Sequence, residues 1–385
     1  MASKDKRKMG MYIHVPFCIK KCGYCDFFSV PMVSSDMLER YTACAVAEIK
    51  QQRAELPDVE IATIYIGGGT PSLLTGSQLE QIVQSVQQEF MVKGDVEITI
   101  EANPGTLDKT KILDIINAGV NRISLGVQSF SDDDLKVLTR IHSARKALDV
   151  IEFMHASKLK NFNIDLIYGV PGQSIDRWME SLKTAVECKP EHISTYLLQL
   201  EDNTPMGTSV ASGKVFLLNE DTEYRMYNRT IDFLRENGFE HYEISNFCRP
   251  GFACRHNLIY WQAEEYIGIG PGAVSFINRC RFVNEPLIKE YLVSIEAGRE
   301  RPIKVLEKMS QADLASDAII LGLRLCQGID LEHFKNRFNI DIIKQYGRNI
   351  APCLERGLLE CENGHLKLTK EGYFLSNEVL CRFIT

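Results

Sequence analysis

Six short apolar segments rich in β-branched residues recur along the first half of the chain: MYIHV (11–15), IATIYI (61–66), VEITI (96–100), NRISLGV (121–127), NIDLIYG (163–169) and HISTYLL (192–198). Each has the length and composition of a buried strand. Between them, 36–53, 77–90, 143–156 and 174–188 carry helical periodicity, so the pattern is a βα unit repeated six times. Repeated βα units demand a parallel sheet with right-handed crossovers, which either opens into a doubly wound sheet or curls toward a barrel. Polar and glycine-rich residues follow the strands: Gly67 to Thr70, Glu101, Gln128, and Gly169 to Gly172. In a barrel those carboxyl ends converge on one mouth, and the expected fold is therefore α/β, a partial (β/α)6 barrel with its site at that mouth.

A helix is predicted at about 219–236, after which 241–261 and 266–276 read as irregular. From about residue 305 the chain turns helical, with a helix at 341–356, a strand pair around Asn363-Gly364 and a helix at 370–381. The expected organisation is a barrel over 1–238, a loop-rich segment over 239–300, and a smaller α-rich, winged-helix-like domain over 301–385. Glu355, Glu360, Glu362 and Glu371 around the wing point to packing or docking instead of a DNA groove.

A net charge of −7 over 385 residues argues against a nucleic-acid partner bound by bulk electrostatics. No apolar run approaches the roughly 20 residues needed to cross a bilayer. The start, MASKDKRKMG, reads as a solvated tail, and a cytoplasmic protein is expected. Twelve cysteines scattered through so long a chain imply free thiols. Among them Cys44, Cys188, Cys326, Cys353 and Cys381 read as small apolar residues of helices.

Cys18-x3-Cys22-x2-Cys25 differs from these: three thiolates on one short loop directly after a strand can wrap one cuboidal cluster. A [4Fe–4S] cluster takes four ligands, so three cysteines leave one iron open to a small molecule. Zinc is the competing reading, but it lacks a fourth ligand unless His14, in an alternating strand, supplies one.

The motif, with Tyr24 before its last cysteine, resembles that of the radical S-adenosylmethionine (SAM) superfamily. Tyr12 and the run FCIKKCGYCDF further resemble the coproporphyrinogen dehydrogenase branch, which includes the HemW-type haem chaperones, and the likeness covers essentially the whole chain. It implies a partial (β/α)6 barrel in which SAM chelates the open iron and is cleaved to a 5′-deoxyadenosyl radical. By matching position it implies SAM contacts at Tyr12, Tyr24, Gly68, Gly69, Thr70, Glu101, Gln128, Arg140 and Asp165. The reading from residues alone is blander, with a tight turn at the glycines, a turn cap at Glu101 and a surface ion pair at Arg140.

Within the branch two features discriminate. The dehydrogenases carry a further cysteine two residues after the last cluster ligand, where this chain has Phe27, and they have a longer leader than the 17 residues before Cys18. In addition, His256-Asn257-Leu258-Ile259-Tyr260-Trp261 matches the HNxxYW motif associated with haem in the chaperone group. A neutral imidazole can ligate haem iron while Tyr260 and Trp261 cover the macrocycle; without the resemblance, His256 is a turn cap beside two aromatic residues. Cys254 in Cys-x-His leaves a thiolate ligand open, and Val274 stands where relatives often carry histidine. Gly268, Gly270 and Gly272 lack the strand-glycine-helix frame of a dinucleotide site.

The resemblance thus implies a haem chaperone that binds haem, a [4Fe–4S] cluster and SAM. Its partners would be a haem donor and apo-haem-protein acceptors, with peripheral contact to membrane haem proteins and pairing into a homodimer as further expectations. The alternative is an oxygen-independent coproporphyrinogen III dehydrogenase.

Overall fold

The computed structural model describes residues 6–31, 34–157, 159–299 and 301–384. β1 (Arg7–Val15) leads into the two-residue strands β2 (Phe17–Cys18) and β3 (Val30–Pro31), which pair with each other. β4 (Val59–Gly68), β5 (Met91–Ala102), β6 (Arg122–Gln128), β7 (Phe162–Tyr168) and β8 (His192–Leu197) follow. They are separated by α1 (Ser35–Glu55), α2 (Gly76–Glu89), α3 (Lys109–Asn117), α4 (Asp132–Val137), α5 (Ala144–Ala156) and α6 (Ile175–Glu187). The strands pair in parallel in the order β1-β4-β5-β6-β7-β8, as the βα repeat requires. Local chemistry starts the helices where expected: Thr75 and Gln78 form a capping box on α2, and Ser143 and Ser174 cap α5 and α6.

The strands alternate between two faces, apart from a bulge between Ile61 and Thr63 and an irregularity before Gln128. Ile13, Ile64, Ile66, Ile98, Ile100, Ile123, Leu125, Ile164, Leu166 and Ile193 join the main apolar core. The residues between them are polar and buried on the other face, among them His14, Thr63, Glu97, Thr99, Arg122, Ser124, Asn163, His192 and Ser194. The barrel interior is therefore a polar, hydrogen-bonded space, and Asp165 shows how it is satisfied. Its carboxylate accepts from Ser124 Oγ (3.0 Å) and Asn163 Nδ2 (2.7 Å), while Asn163 Oδ1 meets His192 Nδ1 (2.7 Å).

Beyond β8 lie α7 (Pro205–Ala211), α8 (Glu220–Glu236), β9 (Glu240–Glu243), β10 (Asn246–Cys248), α9 (Arg255–Trp261), β11 (Tyr266–Ile269), β12 (Val274–Ile277), β13 (Cys280–Asn284), α10 (Ile288–Glu296) and β14 (Ile303–Lys308). The stretch read as irregular instead extends the sheet at both edges. β11 lies parallel to β1 and continues into antiparallel β12, β13 and β14, while β10 and β9 add antiparallel to β8. The result is a twelve-stranded sheet with β14 and β9 as its two unjoined edges, a partial barrel.

The C-terminal region has its own core around Ile319, Leu323, Phe334, Leu366, Leu368 and Phe383. It is built from α11 (Gln311–Gly322), β15 (Ile329–Asp330), α12 (Leu331–Phe338), α13 (Ile342–Glu355), β16 (Leu359–Glu362) and β17 (His365–Leu368), the strands ordered β15-β17-β16. Asn363 and Gly364, at φ +50° and +79°, make the hairpin turn. The helix predicted at 370–381 is broken at Leu375 into α14 (Lys370–Phe374) and α15 (Ser376–Leu380), and Cys381 beyond it is exposed instead of buried.

Candidate active site and haem motif

The carboxyl ends of β4 to β8 and the loop after β1 enclose a cavity of about 380 Å3. Cys18, Cys22 and Cys25 line one side of it, and Gly68, Glu101, Gln128 and Asp165 line the rest. The cysteine loop is held by backbone contacts: Gly23 N–H donates to Thr139 Oγ1 (2.7 Å), and Gly23 carbonyl accepts from Met206 N–H at the start of α7 (2.8 Å).

Two sulfurs receive donors from the barrel. Thr70 Oγ1 lies 3.5 Å from Cys18 Sγ, and Arg140 Nη1 lies 3.4 Å from Cys22 Sγ. Such donors stabilise negative charge on sulfur, whether thiolate or cluster. Arg140 also donates through Nη2 to Gly126 carbonyl (2.8 Å), and its Nε is buried without a partner among the described residues. Among those residues no three His, Cys, Asp or Glu side chains converge as a single-ion site. Three thiols spread along one cavity wall, an arginine and threonine aimed at them and an unpaired buried donor fit a cluster with a polar ligand beside it. His14 belongs to neither group: its Nε2 donates to Phe28 carbonyl (2.9 Å), so its Nδ1 accepts from Tyr12 hydroxyl (3.0 Å).

Glu101 is the cavity's main carboxylate. It accepts from Tyr65 hydroxyl and from Gly68 N–H, both at 2.9 Å, and burial pushes its pKa up to about 7. Gln128 sits at an irregularity in the β6–β7 register with φ +69°, a conformation that costs a non-glycine residue about 1 kcal/mol or more and turns its side chain toward the cavity wall.

The glycines do more than clear room for a ligand. Gly68 has φ +111°, and a Cβ there would lie 2.5 Å from the His14 ring; a Cβ on Gly69 would lie 2.6 Å from Phe17 carbonyl oxygen. They let β4 pass tightly under the cysteine loop.

Two predicted SAM contacts lie elsewhere or deeper. Tyr12 is not among the cavity's lining residues and instead stacks on Tyr65 inside the barrel, with ring centroids 6.1 Å apart. Tyr24 lines the cavity and also packs with Leu138, Ile167 and Val170 beneath the loop.

The HNxxYW residues lie on α9, a helix where an irregular loop was expected, and α9 inserts against β1 and β4 from inside the barrel. Glu97 of β5 caps it, accepting from Arg255 and His256 N–H (3.1 Å each). His256 is 1 % exposed, stacks on Tyr65 at 5.1 Å, and has both nitrogens engaged: Nδ1 with Thr63 Oγ1 (2.7 Å) and Nε2 with Tyr260 hydroxyl (2.9 Å). Burial drives its pKa down to about 3, so it is neutral.

In this conformation both ring nitrogens of His256 are engaged by hydroxyls, and its part in haem binding belongs to the proposed function. Cys254 is buried beside it, and burial pushes its thiol up to about 12. Asn257 is half-buried on the same helix, and Trp261 at its end belongs to a different cleft of about 400 Å3 against the C-terminal region. Tyr65, Thr63 and Glu97 are functional neighbours that the sequence reading missed; their only signal was a polar residue at every second strand position.

Comparison with known proteins agrees with this geometry. The radical SAM superfamily model matches residues 12–185, and the HemN C-terminal domain model matches 309–375. Among curated relatives, "Heme chaperone HemW" of Lactococcus lactis subsp. lactis is 35% identical, covering 97% of this chain and 96% of the relative. That of Bacillus subtilis is 31% identical, with 97% and 98% covered. The structure of coproporphyrinogen III oxidase (HemN) from Escherichia coli, described as a radical SAM enzyme, shares the fold at a TM-score of 0.85 and 21% identity, covering 100% of this chain and 92% of that one. With three cysteines at the mouth of a partial barrel and full-length identity above 30%, the chain belongs to the HemW-type family within the radical SAM superfamily.

Proposed function

We propose that this protein is a haem chaperone: it takes haem from a donor, holds it, and passes it to apo-haem proteins, on a scaffold that binds a [4Fe–4S] cluster and SAM. The observation that carries this reading is the full-length likeness to proteins named heme chaperone HemW. Phe27 supports it, because the position where dehydrogenases of the branch carry a further cysteine is here an apolar side chain, 66% exposed at the cavity rim.

In this reading Cys18, Cys22 and Cys25 hold the cluster, and Tyr24, Gly68, Gly69, Thr70, Glu101, Gln128, Arg140 and Asp165 surround SAM. Bound together, cluster and SAM supply a one-electron route to a carbon-centred radical. The chain's own part is electrostatic. Arg140 and Thr70 stabilise charge on the sulfurs, and Glu101, held by Tyr65 and Gly68, ionises readily once a cation lies beside it.

Among the described residues no helix is long and apolar enough to cross a membrane. A cytoplasmic location, contact with membrane haem proteins and pairing of two chains belong to the same proposal, and no nucleic-acid partner does.

The test is an anaerobic titration of the reconstituted protein with haemin. A saturable Soret band beside the cluster absorption is the expected result, and cluster absorption with no haem band at any ratio overturns the reading.

A further inference from the structure

Asp165 lines the main cavity, and behind it the barrel interior holds a chain of buried polar groups. Asn163 and Asp165, two apart on β7, share the inward face. The parallel register sets Ser124 of β6 and His192 of β8 on either side of Asn163, with Ser194 beside Asp165. Asn163 and His192 are each 1 % exposed, and neither lines the cavity.

The Asn163 amide is fully used. Its Nδ2 donates to Asp165 Oδ1 and to Ser124 Oγ, both at 2.7 Å, while its Oδ1 accepts from Ser194 Oγ (3.1 Å) and meets His192 Nδ1 (2.7 Å). Four bonds exhaust an amide side chain. On the far side of the ring, His192 Nε2 lies 2.8 Å from Tyr242 hydroxyl, which also accepts from the N–H of Cys254, the N-cap of α9, at 3.4 Å.

The direction of these bonds follows from their last member. A carboxylate only accepts, so the amide turns Nδ2 to Asp165 and Oδ1 to His192. An amide oxygen only accepts in its turn, so His192 Nδ1 carries the proton and Nε2 the lone pair that receives Tyr242 O–H. Burial and the nearby Arg122 guanidinium hold the ring well below its ordinary pKa, so it is neutral and has a single tautomer. Donors therefore point one way along the chain, from Tyr242 to His192, from His192 to Asn163 and from Asn163 to Asp165. At its end, burial pushes the Asp165 carboxyl up, and the hydroxyl and amide donors pull it back toward the charged form.

Resting on the reading of Asp165 as a SAM contact, we infer that Asn163 and His192 are positioning residues, which fix the Asp165 carboxylate in one orientation and keep it charged for hydroxyl or amino donors of the ligand. Tyr242 sets the tautomer that makes His192 a donor. Through Cys254 N–H the start of α9 is tied to the same chain.

The experiment is equilibrium binding of SAM to the cluster-reconstituted full chain, run as a double-mutant cycle with Asp165. His192→Phe keeps a ring and removes the donor; it is expected to weaken SAM binding about tenfold, and Tyr242→Phe about threefold. His192→Asn keeps an N–H donor close to the Nδ1 position and is expected to stay within about threefold of wild type. In an Asp165→Ala background, itself weaker than wild type, both phenylalanine variants are expected to have no further effect. Cluster absorption and circular dichroism control for folding, and if His192→Phe fails them the cycle is read on Tyr242→Phe. An equal fold-loss in both backgrounds overturns the positioning role, as does His192→Asn binding no better than a folded His192→Phe. Asp165→Ala binding SAM like wild type, or wild type not binding SAM, overturns the reading of Asp165 itself and the inference with it.

Discussion

Glu101 and His256 are joined through one tyrosine, and burial drives their pKa values in opposite directions. For Glu101 the shift to about 7 means that its charge is lost as pH falls through neutrality. SAM affinity, measured by equilibrium binding to the reconstituted protein, is therefore expected to weaken from pH 8 to pH 6. Glu101→Gln should flatten that dependence and weaken binding about tenfold at pH 8, the effect of one charge-assisted hydrogen bond.

For His256 the consequence lies in stability. Its folded pKa of about 3 lies below the unfolded value near 6.5, so between those values the unfolded state binds the extra proton and stability falls as pH falls. Urea midpoints at pH 7 and pH 4.5 should show a smaller acid loss in His256→Gln than in wild type; an equal loss assigns the effect to other groups. Truncation to His256→Ala should cost about 2–4 kcal/mol, since it opens a cavity and strands the Thr63 and Tyr260 hydroxyls.

At the scale of elements, α9 depends on a residue 158 positions away in the chain, because Glu97 accepts from its first two N–H groups. Glu97→Ala is expected to lower stability by about 1–2 kcal/mol while the cluster still forms, read by melting temperature and cluster absorption. This long-range cap explains what the sequence could and could not disclose. The six barrel strands were legible because each is an isolated β-branched run, and the cysteine loop was legible from its spacing. α9 is seven residues long with a cap from another strand, and β9 to β12 are three or four residues each, too short for any period to show. The strands also held an unread signal: Thr63, Tyr65, Glu97 and Arg122 alternate with the isoleucines, and alternation inside a barrel marks a polar interior.

Across the whole molecule, the helix that carries the motif packs against β1 and β4 of the barrel and against α11 of the C-terminal region. Arg337 of α12 donates to the carbonyls of Gln262 and Ala263 at the end of α9 and pairs with Glu264 at 3.2 Å. Arg337→Ala removes two charged donors at this junction and is expected to cost about 1–3 kcal/mol, seen as a lower melting temperature. The barrel mouth and this junction are separate cavities with separate linings. Cys22→Ala should lose the cluster and still take up haemin.

On the proposed function, this radical SAM barrel serves haem delivery and not porphyrinogen decarboxylation. The direct measurement mixes haem-loaded, cluster-reconstituted protein with an apo-haem protein and follows the Soret band, with a parallel incubation of reduced protein, SAM and coproporphyrinogen III. Transfer of haem to the acceptor with no protoporphyrinogen is the expected result. Protoporphyrinogen formed with SAM consumed, and no haem moved, would contradict it.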